Sequence, residues 1–344
     1  MSEEALPAPR RVSRLGLYLP VTLLAIVVLC WSAGWFYIRG RVSSGLDAWI
    51  GKEAEAKRRW TCADREIGGF PFRIEIRCSD LSVDRGDLSA SLGRLLVVAQ
   101  VYDPRHVIAQ ASGPLRLTSG PVEASGTWKS LTTSVTTAPD GFDLASLVAV
   151  EPKIALRDAS FGNVDLSSKQ FEAYLRPDPA ERTTIDVALR SQDAVIPGLD
   201  RLVGGTEPAN IEILLTATKA LLLPRRPVVA EFEPWRAAGG HADLQKLNLA
   251  KGAVRLEGTG NFAIDEEHRP EGQIELQAAG LGGVLGQLAS NSGGLLGALL
   301  GGGRKAQAAE GEGKLRRLPP LQIQGGRLLV GPLPIPGLRI PRLY

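Results

Sequence analysis

The sequence predicts a mainly β protein in which one N-terminal transmembrane helix is followed by a long antiparallel meander sheet, curved into a groove or doubled into a sandwich, with a few short helices. Three observations carry this reading. Leu15–Ile38 is a run of 24 residues without a formal charge. From Arg65 onward apolar residues recur every second position, the period of a strand with one wet face. Short turn signals separate these runs, and 39 glycines, 23 prolines and only 6% aromatics give the profile of a turn-rich β chain.

Taken in order, residues 1–14 form a polar, proline-containing tail. The uncharged run follows, and at about 1.5 Å rise per residue it is long enough to cross a hydrocarbon core of about 30 Å. Pro20 falls in its first turns, where a missing backbone donor matters least. Trp31, Trp35 and Tyr37 crowd its far end as interfacial aromatics. A cleaved signal peptide would share the arginines at positions 10, 11 and 14, but the apolar run is about twice the usual length and exits through bulky Trp35-Phe36-Tyr37. It is therefore read as a retained anchor over 15–38. Arg39 and Arg41 follow it, so charge counting only mildly favours a cytoplasmic N-terminus.

The cysteines supply a second argument for orientation. Cys30 is in the span, whereas Cys62 and Cys78 bracket 15 residues whose Gly68-Gly69 invites a reversal. A bridge closing such a loop contributes about 3 kcal/mol by the chain-entropy estimate, and no CxxC or Cys/His zinc spacing competes for these residues. A Cys62–Cys78 disulfide is favoured over two free thiols. It implies an oxidising compartment, hence a single-pass inner-membrane protein with a cytoplasmic N-terminus and a periplasmic bulk.

Beyond the span, 39–61 is expected to be a membrane-proximal helix, with Leu46, Trp49, Ile50 and Ala54 at helical spacing. The remaining 62–344 is expected to be one β-rich domain, with two similar lobes allowed. Phe72, Ile74, Ile76 and Cys78 alternate with Arg73, Glu75 and Arg77. The alternation returns at Ile185/Val187/Leu189, Ile211/Ile213/Leu215, Val254/Leu256 and Ile274/Leu276, among others. Gly113-Pro114, Gly120-Pro121 and Pro139-Asp140-Gly141 are read as turns. Val228–Ala238 is a short-helix candidate, and 281–303, with nine glycines and no charge, is open to three readings: a helix on the sheet's apolar face, a lid, or a second span. The proline-rich end reads as one edge strand and an extended tail.

Chemistry is sparse. The three histidines, His106, His241 and His268, have no metal-ligand partner at i+3 to i+5, and no nucleophile-elbow, Walker or dinucleotide motif occurs. Asp265-Glu266-Glu267-His268 reads as a solvated hairpin turn. Net charge is +3 on 40 basic and 37 acidic residues, a mixed surface without the basic stripe of a nucleic-acid binder. No catalytic, cofactor-binding or metal-binding residue is expected, and the chain is expected not to be an enzyme.

Two patches carry a family resemblance. Gly68-Gly69-Phe70-Pro71-Phe72-Arg73-Ile74 is similar to a G-[YF]-P-F-[RK] signature near the start of certain envelope proteins. Trp235, Gly239-Gly240 and the strand-turn-strand stretch from Ala253 to Leu281 resemble a second unit of the same proteins, as does the closing Gly331-Pro332-Leu333. Together they look like a domain-of-unknown-function family of alphaproteobacterial membrane-anchored proteins, distantly similar to the AsmA-like group. The resemblance spans most of 15–344. It implies a periplasmic body, a curved sheet with a hydrophobic groove, and a link to lipid traffic and outer-membrane homeostasis.

A one-sided meander must cover its apolar face. A second sheet would make it a dry sandwich, a structural scaffold or a module for an envelope protein partner. An open groove would suit a lipid or acyl-chain ligand. The expected groove lining is Phe72, Ile74, Ile76, Ile185, Val187, Leu189, Val254, Leu256, Ile274 and Leu276.

Overall fold

The structure, a computed structural model, describes residues 15–139, 141–158, 162–203, 205–220, 228–280 and 314–343. Its first element is a single helix, α1 (Leu15–Glu55), of 41 residues. The expected span and membrane-proximal helix are one uninterrupted rod, and it stops earlier than the expected boundary at 61. Lys57 adopts φ 60°, Lys57 N–H donates to Ala54 O and Arg58 N–H to Glu53 O. This is a Schellman closure with lysine in the left-handed position, and it releases the chain into β1 (Arg59–Thr61).

Strands follow almost without interruption. β2 (Asp64–Gly68), β3 (Arg73–Asp84), β4 (Leu88–Gln100) and β5 (His106–Ser119) are followed by β6 (Val122–Thr127), β7 (Ser130–Ala138), β8 (Gly141–Val150), β9 (Lys153–Asp158), β10 (Gly162–Ser167), β11 (Gln170–Pro177) and β12 (Ile185–Ala194). Helix α2 (Pro197–Val203) leads to β13 (Ala209–Ala217), and α3 (Val228–Ala237) to β14 (Ala242–Lys251), β15 (Val254–Ile264) and β16 (Pro270–Ala279). After the undescribed stretch come β17 (Arg316–Arg317), β18 (Leu321–Gln324), β19 (Arg327–Val330) and β20 (Leu333–Arg339).

All of these strands belong to one hydrogen-bonded sheet. β1 and β2 share the outer edge of β3, and the meander then runs β3-β4-β5. At β5 it divides. His106–Ala111 pairs with β7 and Leu115–Ser119 with β6, so the expected turn at Gly113-Pro114 is the branch point inside a strand. Proline is tolerated there because no neighbouring strand requires its missing N–H, and β4 bulges opposite, between Leu92 and Arg94. One branch continues β6-β9-β10. The other runs β7-β8-β11-β12-β13-β14-β15-β16-β18-β19-β20.

The C-terminal stretch departs from expectation in forming three strands rather than one. Gly325 and Gly326 take φ +56° and +71°, the left-handed pair a two-residue hairpin requires; Pro334 and Pro336 fall in edge strand β20, and Pro319 and Pro320 lie in the connection before β18. The Asp265–His268 stretch is a hairpin turn between β15 and β16, and α3 occupies the expected short-helix position. The Gly/Leu-rich stretch 281–303 lies outside the described residues.

Candidate ligand-binding trough

Paired residues in an antiparallel sheet share a face, so the strand register fixes what each face presents. One row runs Ile76, Val97, Ala109, Thr133, Leu147, Ala173, Leu189, Ile213, Leu247, Gly258, Leu276 across β3 to β16. Thr133 is its one polar member. A neighbouring row, Ile74, Ala99, Val107, Val135, Ala145, Leu175, Val187, Leu215, Leu244, Gly260, Ile274, continues to Leu321 and Val330 without a polar residue. Gly258 opens no gap, because a Cβ there would meet the Leu276 side chain. The face is therefore a continuous apolar strip. Among the described residues no second sheet lies over it, and most of its side chains are half-exposed.

The opposite face is mixed, with charged residues concentrated on β11 to β14 and Leu96, Val98, Ile108, Val148 and Leu214 among them by register. Glu172 and Arg190 face each other across β11 and β12, and Arg190 pairs with Glu212 at 3.3 Å, which Lys246 Nζ reaches at 2.6 Å. Lys246, and secondarily Arg190, hold the Glu212 carboxyl below its ordinary range. Tyr174 is pushed up by desolvation and by its bond to Glu172.

The strip deepens where the sheet divides. The two branches rejoin at the Ser167–Val195 bridge and enclose a cavity of about 490 Å³, within the usual range for small-molecule sites. Its floor is Leu131, Leu147, Phe171, Leu189, Ile211 and Ile213, and Ile154 and Leu166 face it from the other branch. Trp128 closes one side. Its indole rests 3.2 Å from where a Cβ on Gly126 would be and its Nε1–H donates to Ala111 O at 2.7 Å, which leaves the ring apolar toward the cavity. Ser167, Ser168 and Ser191 bring hydroxyls to the lining, and Arg190, which also reaches it, is engaged with Glu212.

The expected lining residues divide into three groups. Leu189 lines the cavity, and Val187, Leu256 and Leu276 lie on the strip. Ile185 and Val254 are buried on the same face, and Ile274 is half-buried beside Leu321. Ile74 and Ile76 do not open to the trough, because α1 lies over them: Trp35, 4% exposed, forms a small core with Ile67 and Ile74, flanked by Ile38, Val42, Ile76 and Val101. Phe72 projects away, 61% exposed, against Trp31. Trp128, Leu131 and Ile154 were outside the expected lining. Leu131 sits in a Ser/Thr-rich strand, and Trp128 in a turn, so neither carries a periodic signal.

The Cys62–Cys78 disulfide is formed, with a Cα–Cα distance of 5.7 Å. A buried charge interrupts the inward face. Lys251 shares the face of Ala209 and Val254 and is 3% exposed; its Nζ pairs with Asp200 Oδ1 at 2.7 Å and bonds Glu207 O. It thereby fastens α2 over one margin of the strip. His241 lies 3.1 Å from Thr218 Oγ1 and 3.4 Å from Asp243, but that hydroxyl also bonds the His241 backbone, so the group closes a strand end. Among the described residues no three His, Cys, Asp or Glu side chains converge as a metal site would require.

Fold and trough together define a β-rich protein with one N-terminal helix long and apolar enough to cross a membrane and a single large sheet with one apolar and one mixed, partly charged face. The chain belongs to the bacterial family described as "Uncharacterized protein conserved in bacteria (DUF2125)", whose model matches residues 35–338. No curated protein and no solved structure matches it.

Proposed function

We propose that this chain is a non-enzymatic, single-pass protein of the bacterial inner membrane that binds lipid or another hydrophobic ligand along its trough in the service of envelope maintenance. The observation that carries the proposal is the apolar row crossing eleven strands in register and passing into the 490 Å³ cavity. An apolar strip of this length exceeds what monomers leave uncovered without a ligand or partner. The Cys62–Cys78 bridge supports an oxidising, periplasmic location for the sheet, and the arginines before the span support a cytoplasmic N-terminus. The Gly-Phe-Pro-Phe-Arg loop and the β15–β16 unit support the distant likeness to AsmA-like proteins of the alphaproteobacterial envelope.

Adjacent positions on β12 provide the test, because Leu189 lines the cavity whereas Ala188, paired with Tyr174 and Leu214, faces the other side of the sheet. A photo-crosslinking benzoylphenylalanine at each position of the full chain, irradiated in cells, is expected to yield a lipid-mass adduct at 189 and none at 188. A protein adduct at 189, or no adduct in a chain that retains its sheet, overturns the proposal in favour of a scaffold whose apolar face is covered by protein.

A further inference from the structure

A second apolar surface is independent of what fills the trough. The loop Gly69–Phe72 that joins β2 to β3 does not stand clear of the anchor. It packs along the last turns of the uncharged span. Trp31 Nε1–H donates to Pro71 O and Trp35 Nε1–H to Arg73 O, both at 2.9 Å, and Phe70 contacts Trp35 edge-on at 5.3 Å. Gly69 makes the reversal with φ +98°, and a Cβ there would lie 2.6 Å from Arg73 O. Trp31 is eight residues before Arg39, the first charge after the span, so Pro71 sits about 12 Å along the helix axis on the membrane side of that charge.

Aromatic side chains at this level point outward. Phe70 is 51% and Phe72 61% exposed, and Phe36 of α1, also exposed, stacks on Phe70 at 6.0 Å. The next turn of the sheet joins the group: Val101 N–H donates to Phe72 O and Tyr102 projects with 66% exposure. Arginines border it. Arg39 Nε–H caps Ile67 O at 2.9 Å, and Arg73 and Arg105 are more than half exposed while paired with Glu75 and Asp103. Aromatic rings backed by arginines, continuous with a transmembrane helix, are the composition of a membrane–water interface.

We propose that the Gly69–Phe72 loop and the Tyr102 turn penetrate the headgroup–acyl boundary of the bilayer that α1 crosses, with Phe70, Phe72 and Tyr102 as the inserted side chains. The partner is the lipid surface itself. The insertion seats β3 and β4 on the membrane at the same end at which the apolar face begins.

The test uses the full chain with Cys30→Ser, reconstituted in phosphatidylethanolamine/phosphatidylglycerol vesicles. A single environment-sensitive fluorophore is placed at Tyr102→Cys, at Phe72→Cys, or at Asp87→Cys in the β3–β4 turn at the opposite end of those strands. Doxyl groups high on the acyl chain are expected to quench positions 72 and 102 at least threefold more than position 87, with blue-shifted emission. Equal quenching at all three positions overturns the proposal. So does shielding of 72 and 102 from aqueous iodide without doxyl quenching, which would assign the aromatic surface to a protein partner. A retained Cys62–Cys78 bridge and an unchanged far-ultraviolet spectrum establish that each labelled chain is folded.

Discussion

Trp35 shows how a residue's chemistry exceeds its composition class. An aromatic at the end of an apolar span is ordinarily an interfacial anchor, but here its indole is buried between Ile67 and Ile74 and its N–H reaches the Arg73 carbonyl. Replacing Trp35 by Ala should destabilise the helix–sheet junction by about 3–5 kcal/mol, read by denaturant unfolding in detergent. Trp35→Phe keeps most of the apolar volume and forfeits one hydrogen bond, a loss of about 1 kcal/mol. Near-equal losses for the two variants would show that the hydrogen bond, not the packing, governs the junction. Farther up α1, the Arg58 guanidinium grips Glu53 through two bonds of 2.6 and 2.7 Å and, with Trp60, lowers its pKa to about 2. A carboxyl depressed in the folded state stabilises above its ordinary value of 4.5 and loses that contribution as pH falls toward 2. Arg58→Ala should therefore move the Glu53 carbon-13 titration up toward 4.5 and remove the corresponding acid limb from the unfolding profile.

At the scale of elements, a buried ion pair joins α2 to the sheet. Lys251 replaces an apolar residue in the inward row and holds Asp200 and the Glu207 carbonyl. Lys251→Met leaves Asp200 without its cation and should lower stability by about 3 kcal/mol, whereas adding Asp200→Leu should recover much of that loss, since a well-packed apolar pair often replaces a buried ion pair without penalty. Thermal unfolding of the two chains decides it, and a double variant no better than the single would show that the Glu207 contact is what matters. Much of this layer was legible in the sequence. Period two marked Ile74–Cys78, Ile185–Leu189 and Ile211–Leu215 because each strand has one wet face. What escaped was the pairing. Gly113-Pro114 carries a turn's composition, yet it is the point at which one strand changes partner, a property of the register that no local pattern contains. The cavity was equally hidden, because Leu131 and Ile154 become neighbours only when the two branches rejoin at Ser167 and Val195.

On the scale of the molecule, the N-terminal helix is part of the fold rather than a tether for it. Three indole and guanidinium bonds from Trp31, Trp35 and Arg39 end on backbone carbonyls between Ile67 and Arg73. A second attachment joins Asp47 to Arg65 at 2.6 Å and Trp49 to Trp60. α1 therefore covers the apolar face at its first strands, where Ile74, Ile76 and Val101 would otherwise meet water. A chain beginning at Val42 keeps every strand and the Cys62–Cys78 bridge but uncovers these side chains. At about 25 cal/mol per Å² of apolar surface, even a few buried side chains amount to several kcal/mol. Such a chain, secreted to an oxidising compartment, should unfold at a lower temperature than the full chain in detergent and bind a hydrophobic dye at the exposed end. Adding Ile74→Ser and Ile76→Ser should reduce the dye signal without restoring stability. If the shortened chain instead matches the full chain in stability and stays dye-free, the helix contributes only attachment, and the sheet closes its own first strands.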